Sequence, residues 1–245
     1  MFNVLVTGSE GFIGKNLIQK LDKDSVNILT FSKQDTVDDL KRKLFLSDFI
    51  YHFAGEVRPN SSAESFEYAN VTLTKTIVEI LTEYDKKTSI LLTSSIHAKL
   101  LKNDYGKTKR ESEKLIEKYS KKSNVPCFIY RLPHVFGEGC KINYNSVVST
   151  WIYNSINNLE INVFNRDISM TYVYVQDIVD VFIEKLSINK DGLYQNITTV
   201  YHTTLGDIVD YLEEFKENIE NPSFEIIDND FKEKLFNTYK NYYLR

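Results

Sequence analysis

A chain of 245 residues, 42% of them hydrophobic, is long enough to bury a full core without disulfide or metal staples. Its 30 basic and 34 acidic residues intermix to a net charge of −4, which leaves no basic face for a phosphate backbone, so nucleic acid is not expected as a partner. Two cysteines are too few for a disulfide framework, no run reaches the ~18 apolar residues of a membrane span, and Met1–Val6 carries no secretion signal, so a soluble, cytoplasmic protein with no membrane partner is expected.

In chain order, short apolar runs alternate with longer amphipathic stretches. The runs are Asn3–Val6, Asn27–Phe31, Phe49–Phe53, Ser89–Thr93 and Cys127–Arg131; the stretches are Lys15–Leu21, Val37–Leu44, Phe66–Leu81 and Tyr105–Tyr119. Strand and helix signals taking turns predict an α/β fold, a Rossmann-type doubly wound parallel sheet with helices on both faces. Ligands of such sheets bind beyond the carboxyl ends of the strands, so residues after Val6, Phe53, Thr93 and Arg131 should converge. After about residue 138 the rhythm loosens. A polar loop, Lys141–Ser146, enters a helix-like stretch in which Trp151, Tyr153 and Ile156 read as the buried face; the short run Ile161–Phe164 and a helix over Leu205–Phe215 follow. The expected division is a dinucleotide-binding domain, 1–139 with 171–199, and a small carboxy-terminal substrate lobe, 140–170 with 200–245.

The first run ends in Thr7-Gly8-Ser9-Glu10-Gly11-Phe12-Ile13-Gly14. A dinucleotide turn needs glycine where the backbone bends tightly, approaches a pyrophosphate, or lets a helix pack close to its strand. Gly8, Gly11 and Gly14 meet those needs in order, and a helix opening at Phe12 and Ile13 offers free backbone N–H groups to phosphate. A plain strand-to-helix turn rich in glycine is the alternative. The second run ends in Ser32-Lys33 with no acid for a ribose 2′-hydroxyl, which favours NADP(H) over NAD; Lys33 as an ordinary solvated lysine is the competing view.

The fourth run ends Thr93-Ser94-Ser95, and Tyr105-Gly-Lys-Thr-Lys109 opens the stretch that follows. One helical turn apart, Tyr105 and Lys109 share a face, where an ammonium would favour the phenolate and make Tyr105 a usable acid or base; a nearby serine hydroxyl could hold a substrate oxygen. With 16 tyrosines, such pairs also arise by chance, and this one gains meaning from the Thr-Ser-Ser strand end before it. Ile96-His97, directly after Ser95, lack the acid and base that an elimination requires. The histidines His52, His97, His134 and His202 show no ligand spacing, so no metal is expected. Cys140 has no visible base partner and is not read as a nucleophile.

Thr7–Gly14, His52-Phe-Ala-Gly55, Asn70, the Ser95/Tyr105/Lys109 set, Arg131-Leu-Pro-His-Val-Phe-Gly137 and Tyr174-Val-Gln-Asp177 resemble the extended short-chain dehydrogenase/reductases that act on nucleotide sugars. The stretches Ala54–Pro59, Phe136–Val147 and Thr204–Val209 resemble more narrowly the reductase half of the CapF-type capsular polysaccharide enzymes. The resemblance implies NADPH-dependent reduction of the C4 ketone of a UDP-4-keto-6-deoxy-N-acetylhexosamine, on the route to UDP-N-acetyl-L-fucosamine for a surface polysaccharide. It implies that Ser95 and Tyr105 engage the C4 oxygen, that Lys109 binds the nicotinamide ribose, that Ala54 and Gly55 line the cofactor, and that Asn70 supports the site. Arg58, Ser94, Ser95, His134, Asn143 and Asn145, with Tyr144, would approach the UDP-sugar. His134 stands where such enzymes usually carry Asn, and Glu56 precedes Arg58. The chain ends at Tyr243-Leu-Arg245, where the family continues into a cupin epimerase, so epimerisation at C3 is expected to be absent. A C4 epimerase with retained NAD and a non-catalytic dinucleotide sensor are the alternatives, and a homodimer is left open.

Overall fold

The computed structural model describes residues 1–58, 60–144, 146–187, 192–226 and 229–244. The first elements are β1 (Phe2–Thr7), α1 (Phe12–Lys20), β2 (Val26–Phe31), α2 (Val37–Leu46) and β3 (Phe49–His52). Next come α3 (Ala63–Phe66), a π-helical turn (Glu67–Thr72), α4 (Leu73–Glu83), β4 (Ser89–Ser95), α5 (His97–Leu100), α6 (Asp104–Ser123), β5 (Phe128–Leu132) and β6 (His134–Phe136). The rest are α7 (Val147–Ile156), β7 (Ser169–Tyr174), α8 (Val175–Glu184), β8 (Tyr194–Gln195), β9 (Tyr201–Thr204), α9 (Leu205–Asn218) and α10 (Asp230–Tyr243).

Two units are distinguished, Met1–Leu132 with Val179–Ile197 and Pro133–Ile178 with Thr198–Arg245. In the first, a six-stranded sheet runs β2-β1-β3-β4-β5-β8 with every pair parallel. Its central strands are buried on both faces, which is why their sequences are near-continuous apolar runs rather than alternating ones. Leu5, Ile50, Ile90, Leu92 and Ile129 on the sheet meet Leu40, Leu44, Ile77, Leu81 and Ile116 from the helices, each burial contributing about 1.5–3 kcal/mol. Helix α2 is started by a capping box between Thr36 and Asp39, and α6 by Asn103, whose side chain accepts from the Gly106 amide. The order 2-1-3-4-5 reverses at β1, so the ligand crevice of this topology lies at the ends of β1 and β3.

The second unit holds a three-stranded sheet, β6-β7-β9, with β6 parallel and β9 antiparallel to β7. Phe136, Trp151, Ile152, Tyr172, Leu212, Phe215, Phe231, Leu235 and Tyr239 form its core. Trp151 is buried and Ile156 packs against the core, but Tyr153, two residues on and so on the opposite side of α7, is exposed, correcting the expected buried face. The divisions fall at 132/133, 178/179 and 197/198 rather than at 139/140, 170/171 and 199/200, because β6 joins β7 in the second sheet instead of extending the first. The stretch read as one helix over Phe66–Leu81 is interrupted by the π-helical turn, and Ile161–Phe164 forms no regular element.

Candidate active site

The turn after β1 is shaped for close approach. Gly8 has φ +68°, and a Cβ there would stand 2.7 Å from the Ala54 amide nitrogen. A Cβ on Gly14 would stand 2.3 Å from the Gly8 carbonyl oxygen, so α1 packs onto its strand only without side chains here. Gly11 occupies the N-cap of α1, and no side chain caps the helix and no acid sits in its first turn. The first-turn amides of Phe12, Ile13 and Gly14 therefore meet no capping carboxylate or hydroxyl, and this glycine cradle fits the pyrophosphate of a dinucleotide.

The end of β2 differs from its reading in the sequence. Asp35, beyond the strand, folds back so that its carboxylate accepts from the Ser32 amide at 2.7 Å and pairs with Lys43. The Lys43 hydrogen bond, against opposing desolvation, holds the Asp35 carboxyl below its ordinary range. An acid thus does stand at this strand end, matched by a helix lysine, while Lys33 is exposed.

At the end of β3, His52 is fully enclosed. Its Nδ1 accepts from Thr7 Oγ1 at 2.7 Å, its Nε2 donates to Thr74 Oγ1 at 2.8 Å, and Thr74 Oγ1 donates onward to the Asn70 carbonyl. Burial, and secondarily the charge of Lys109, drive the imidazole down to about 3, so it is neutral at working pH. The hydroxyl of Thr7 also accepts from the Ala54 amide, tying the glycine turn to the next loop.

Ser95, Tyr105 and Lys109 are contributed where β4 ends and α6 begins. Ser95 is buried, its Oγ accepting from the His97 amide at 3.2 Å and sharing a hydrogen bond with Tyr105. Lys109 Nζ donates to the Thr93 carbonyl at 2.8 Å. Burial lowers this ammonium to about 8, with Glu113 acting in the opposite sense. Tyr105 is raised above its ordinary value, because desolvation outweighs the Ser95 hydrogen bond. That direction is opposite to the depression expected of the Tyr/Lys pair, and its physical cause is burial of the phenol. Asn70, in the π-helical turn, accepts from the Glu56 amide at 2.9 Å and donates to Thr108 Oγ1 at 3.1 Å. A Cβ on Gly55 would lie 2.6 Å from Asn70 Oδ1 and 3.4 Å from Lys109 Nζ, so the β3 loop closes directly on both.

Gly8 thus approaches Ala54, Gly55 approaches Asn70 and Lys109, and Ser95 and Tyr105 form a pair at the end of β4, all in one unit. Arg58 in the same unit is exposed, its guanidinium held by Glu56 through Nε at 3.0 Å and Nη2 at 2.8 Å; that contact keeps the Glu56 carboxyl down at about 2. Ser94 faces away from Ser95, as neighbours in a strand must, and its hydroxyl donates to Glu113 at 2.6 Å. In the second unit, His134 is exposed at the start of β6 with its ring 5.8 Å from that of Tyr172, and Asn143 has φ +53° with its amide donating to Thr150. Asn145 lies outside the described residues. Sequence reasoning missed Asp35, the Thr7–His52–Thr74 chain and Glu113. The signal for Glu113 was helical phase: it follows Lys109 by one turn on the stripe that buries Ile116 and Tyr119.

Among the described residues no group of three or more His, Cys, Asp and Glu could hold a metal ion, and no helix is long and apolar enough to cross a membrane.

A protein described as UDP-2-acetamido-2,6-beta-L-arabino-hexul-4-ose reductase, from Pseudomonas aeruginosa, is 31% identical over 242 residues, covering 96% of this chain and 63% of its own length. Among solved structures, the capsular polysaccharide assembling protein CapF of Staphylococcus aureus matches with a TM-score of 0.86 and 35% identity, over 98% of this chain and 65% of that one. The chain therefore spans less than two thirds of both relatives. The Bordetella bronchiseptica enzyme WbmF, solved with NAD+ and UDP, shares the fold at a TM-score of 0.82 and 18% identity, over 98% of this chain and 91% of that one. The family model for the NAD dependent epimerase/dehydratase family matches residues 4–195, and with these relatives it establishes that the chain belongs to that family, the extended short-chain dehydrogenase/reductases.

Proposed function

We propose that the chain is an NADPH-dependent reductase of the C4 ketone of a UDP-4-keto-6-deoxy-N-acetylhexosamine, serving a surface polysaccharide precursor. The observation that carries this reading is the Ser95/Tyr105/Lys109 set, joined through Gly55 and Ala54 to the glycine turn. The name of the Pseudomonas relative supplies the sugar class. The glycine turn and the first-turn amides of α1 would hold the pyrophosphate, Lys109 the nicotinamide ribose, and Ser32 with Lys33 the adenosine ribose. When bound, a reduced nicotinamide supplies the hydride.

The protein's own part is acid catalysis and orientation. A ketone oxygen gaining negative charge needs a proton, and a phenol raised by burial stays protonated to deliver it. Tyr105 Oη is the donor in this reading, and Ser95 Oγ holds the same oxygen. Lys109, as an ammonium, stabilises the phenolate left behind. Enclosure by the β3 loop strengthens each of these interactions by lowering the local dielectric.

The test is to supply NADPH or NADH with the product of a UDP-N-acetylglucosamine 4,6-dehydratase, with and without prior C3 epimerisation, and follow the nicotinamide absorbance. Turnover with NADPH is expected, and Tyr105→Phe should lower kcat by about 10²–10⁴-fold. Oxidation that survives in Tyr105→Phe would remove the assigned acid, and no turnover with either cofactor would overturn the reductase reading.

A further inference from the structure

Glu113 is a carboxylate with no exposed surface, four residues after Lys109 on α6. Among the described residues it is also the most heavily bonded acid of its unit. Arg131 on β5 grips it from Nε at 2.8 Å and Nη2 at 2.6 Å, Arg110 adds a contact at 2.9 Å, Ser94 on β4 donates at 2.6 Å, and the Tyr194 hydroxyl of β8, whose proton goes to Glu117, lies 3.1 Å away. Glu117 joins the rim through Arg110 and Tyr194. One side chain thereby fastens the helix carrying Tyr105 and Lys109 to the strand ending in Ser95, and to two strands beyond it. Burying an ion with this many partners is costly unless each is well placed, so the arrangement holds α6 at one rotational phase.

We propose that Glu113 is a positioning residue for the Tyr105/Lys109 pair: pinned by Arg131, Arg110 and Ser94, its carboxylate locks α6 onto β4 and stands as a counter-charge one helical turn from Lys109. This deepens the reductase reading and rests on it. It also assigns the Ser94 hydroxyl to the lock. The environment of Lys109 makes such a counter-charge effective. Its Nζ is enclosed by the Thr93 carbonyl and the Gly55 loop; the neutral His52 faces it from β3, Tyr105 and Glu113 lie on its own helix, and Glu56 and Arg58 of the adjoining loop are paired to each other. Desolvation favours loss of its proton, and Glu113 opposes that loss.

The experiment measures Lys109 directly and separately from turnover. Protein carrying [ε-13C]lysine is titrated by NMR, the Lys109 signal being assigned by its absence in Lys109→Met. Glu113→Gln is expected to move the Lys109 titration to lower pH by about one unit, and Arg131→Gln, which keeps the carboxylate and removes a competing cation, to move it upward. In the reductase assay, Glu113→Gln should lower kcat about fivefold at pH 8 with little change in KM, and shift the alkaline limb of the kcat profile downward with the NMR titration. Glu113→Asp, which retains the charge, should restore that limb. Should Glu113→Gln fail to fold, the upward shift in Arg131→Gln carries the test. A Lys109 titration unmoved in the folded variants, or a loss of kcat equal at every pH, would overturn the proposal. Shifted Lys109 signals in a protein that turns over no 4-keto sugar would instead overturn the reductase reading and leave the role of Glu113 standing.

Discussion

Replacing Gly8 by alanine tests the shape of the turn and its purpose together. At φ +68° a residue with a Cβ meets its own backbone, a cost of about 1–2 kcal/mol. The added methyl would also lie 2.7 Å from the Ala54 nitrogen and 2.9 Å from both Ala54 Cα and the Phe53 carbonyl carbon. All three are backbone atoms of the β3 loop, so no side chain can rotate away, and forcing them apart costs about 1–3 kcal/mol more. The sum, about 2–5 kcal/mol, corresponds in a domain of this size to a fall in Tm of roughly 4–20 °C. The displaced loop carries Ala54 and Gly55, so affinity for a nicotinamide dinucleotide should fall at least about tenfold, or ~1.4 kcal/mol, at a temperature where the variant is folded. Differential scanning calorimetry and quenching of the reduced-nicotinamide fluorescence measure the two effects. Gly192→Ala, whose new Cβ would find its nearest neighbours at 3.9 Å, is the control and should stay within about 2 °C. A Gly8→Ala protein that melts like this control and binds the dinucleotide like the wild type would refute the argument.

His52 makes the fold acid-sensitive in a definite window. Its imidazole takes up a proton near pH 3 in the folded protein and near 6.5 when unfolded, so between those values the unfolded chain binds more protons and stability falls as the pH drops. From pH 6.5 to 4.5 this amounts to about 2 kcal/mol, and urea midpoints should show His52→Gln losing that much less than the wild type over the interval; parallel losses would contradict the assignment. Lys43→Met should release Asp35 from its ion pair and leave a carboxylate at the end of β2 available to a ribose hydroxyl. The ratio of affinities for NADH and NADPH is expected to move toward NADH by about tenfold, measured by fluorescence titration, and an unchanged ratio would deny Asp35 any part in cofactor choice.

The local pattern of the chain determined the sheet and the two halves of the site. Apolar runs buried on both faces can form only a covered parallel sheet, and the glycines between β1 and α1 leave room where a Cβ would meet backbone. A helical pitch of 3.6 residues was enough to place Tyr105 and Lys109 on one face of α6, but a reading that sends both Ser94 and Ser95 to the sugar overlooks the alternation of β4, which turns Ser94 to Glu113 instead. What each face meets depends on elements distant in sequence, and there tertiary structure decided. Arg131 and Tyr194 reach Glu113 only because β5 and β8 are neighbours in the sheet, and β6 leaves that sheet because its hydrogen bonds go to β7. Asp35 sits outside the strand whose end it serves, so a rule that inspects the last strand residue passes over it. The direction of the Tyr105 shift was likewise beyond the pattern: proximity to a lysine argues for an acidic phenol, but burial raises it instead.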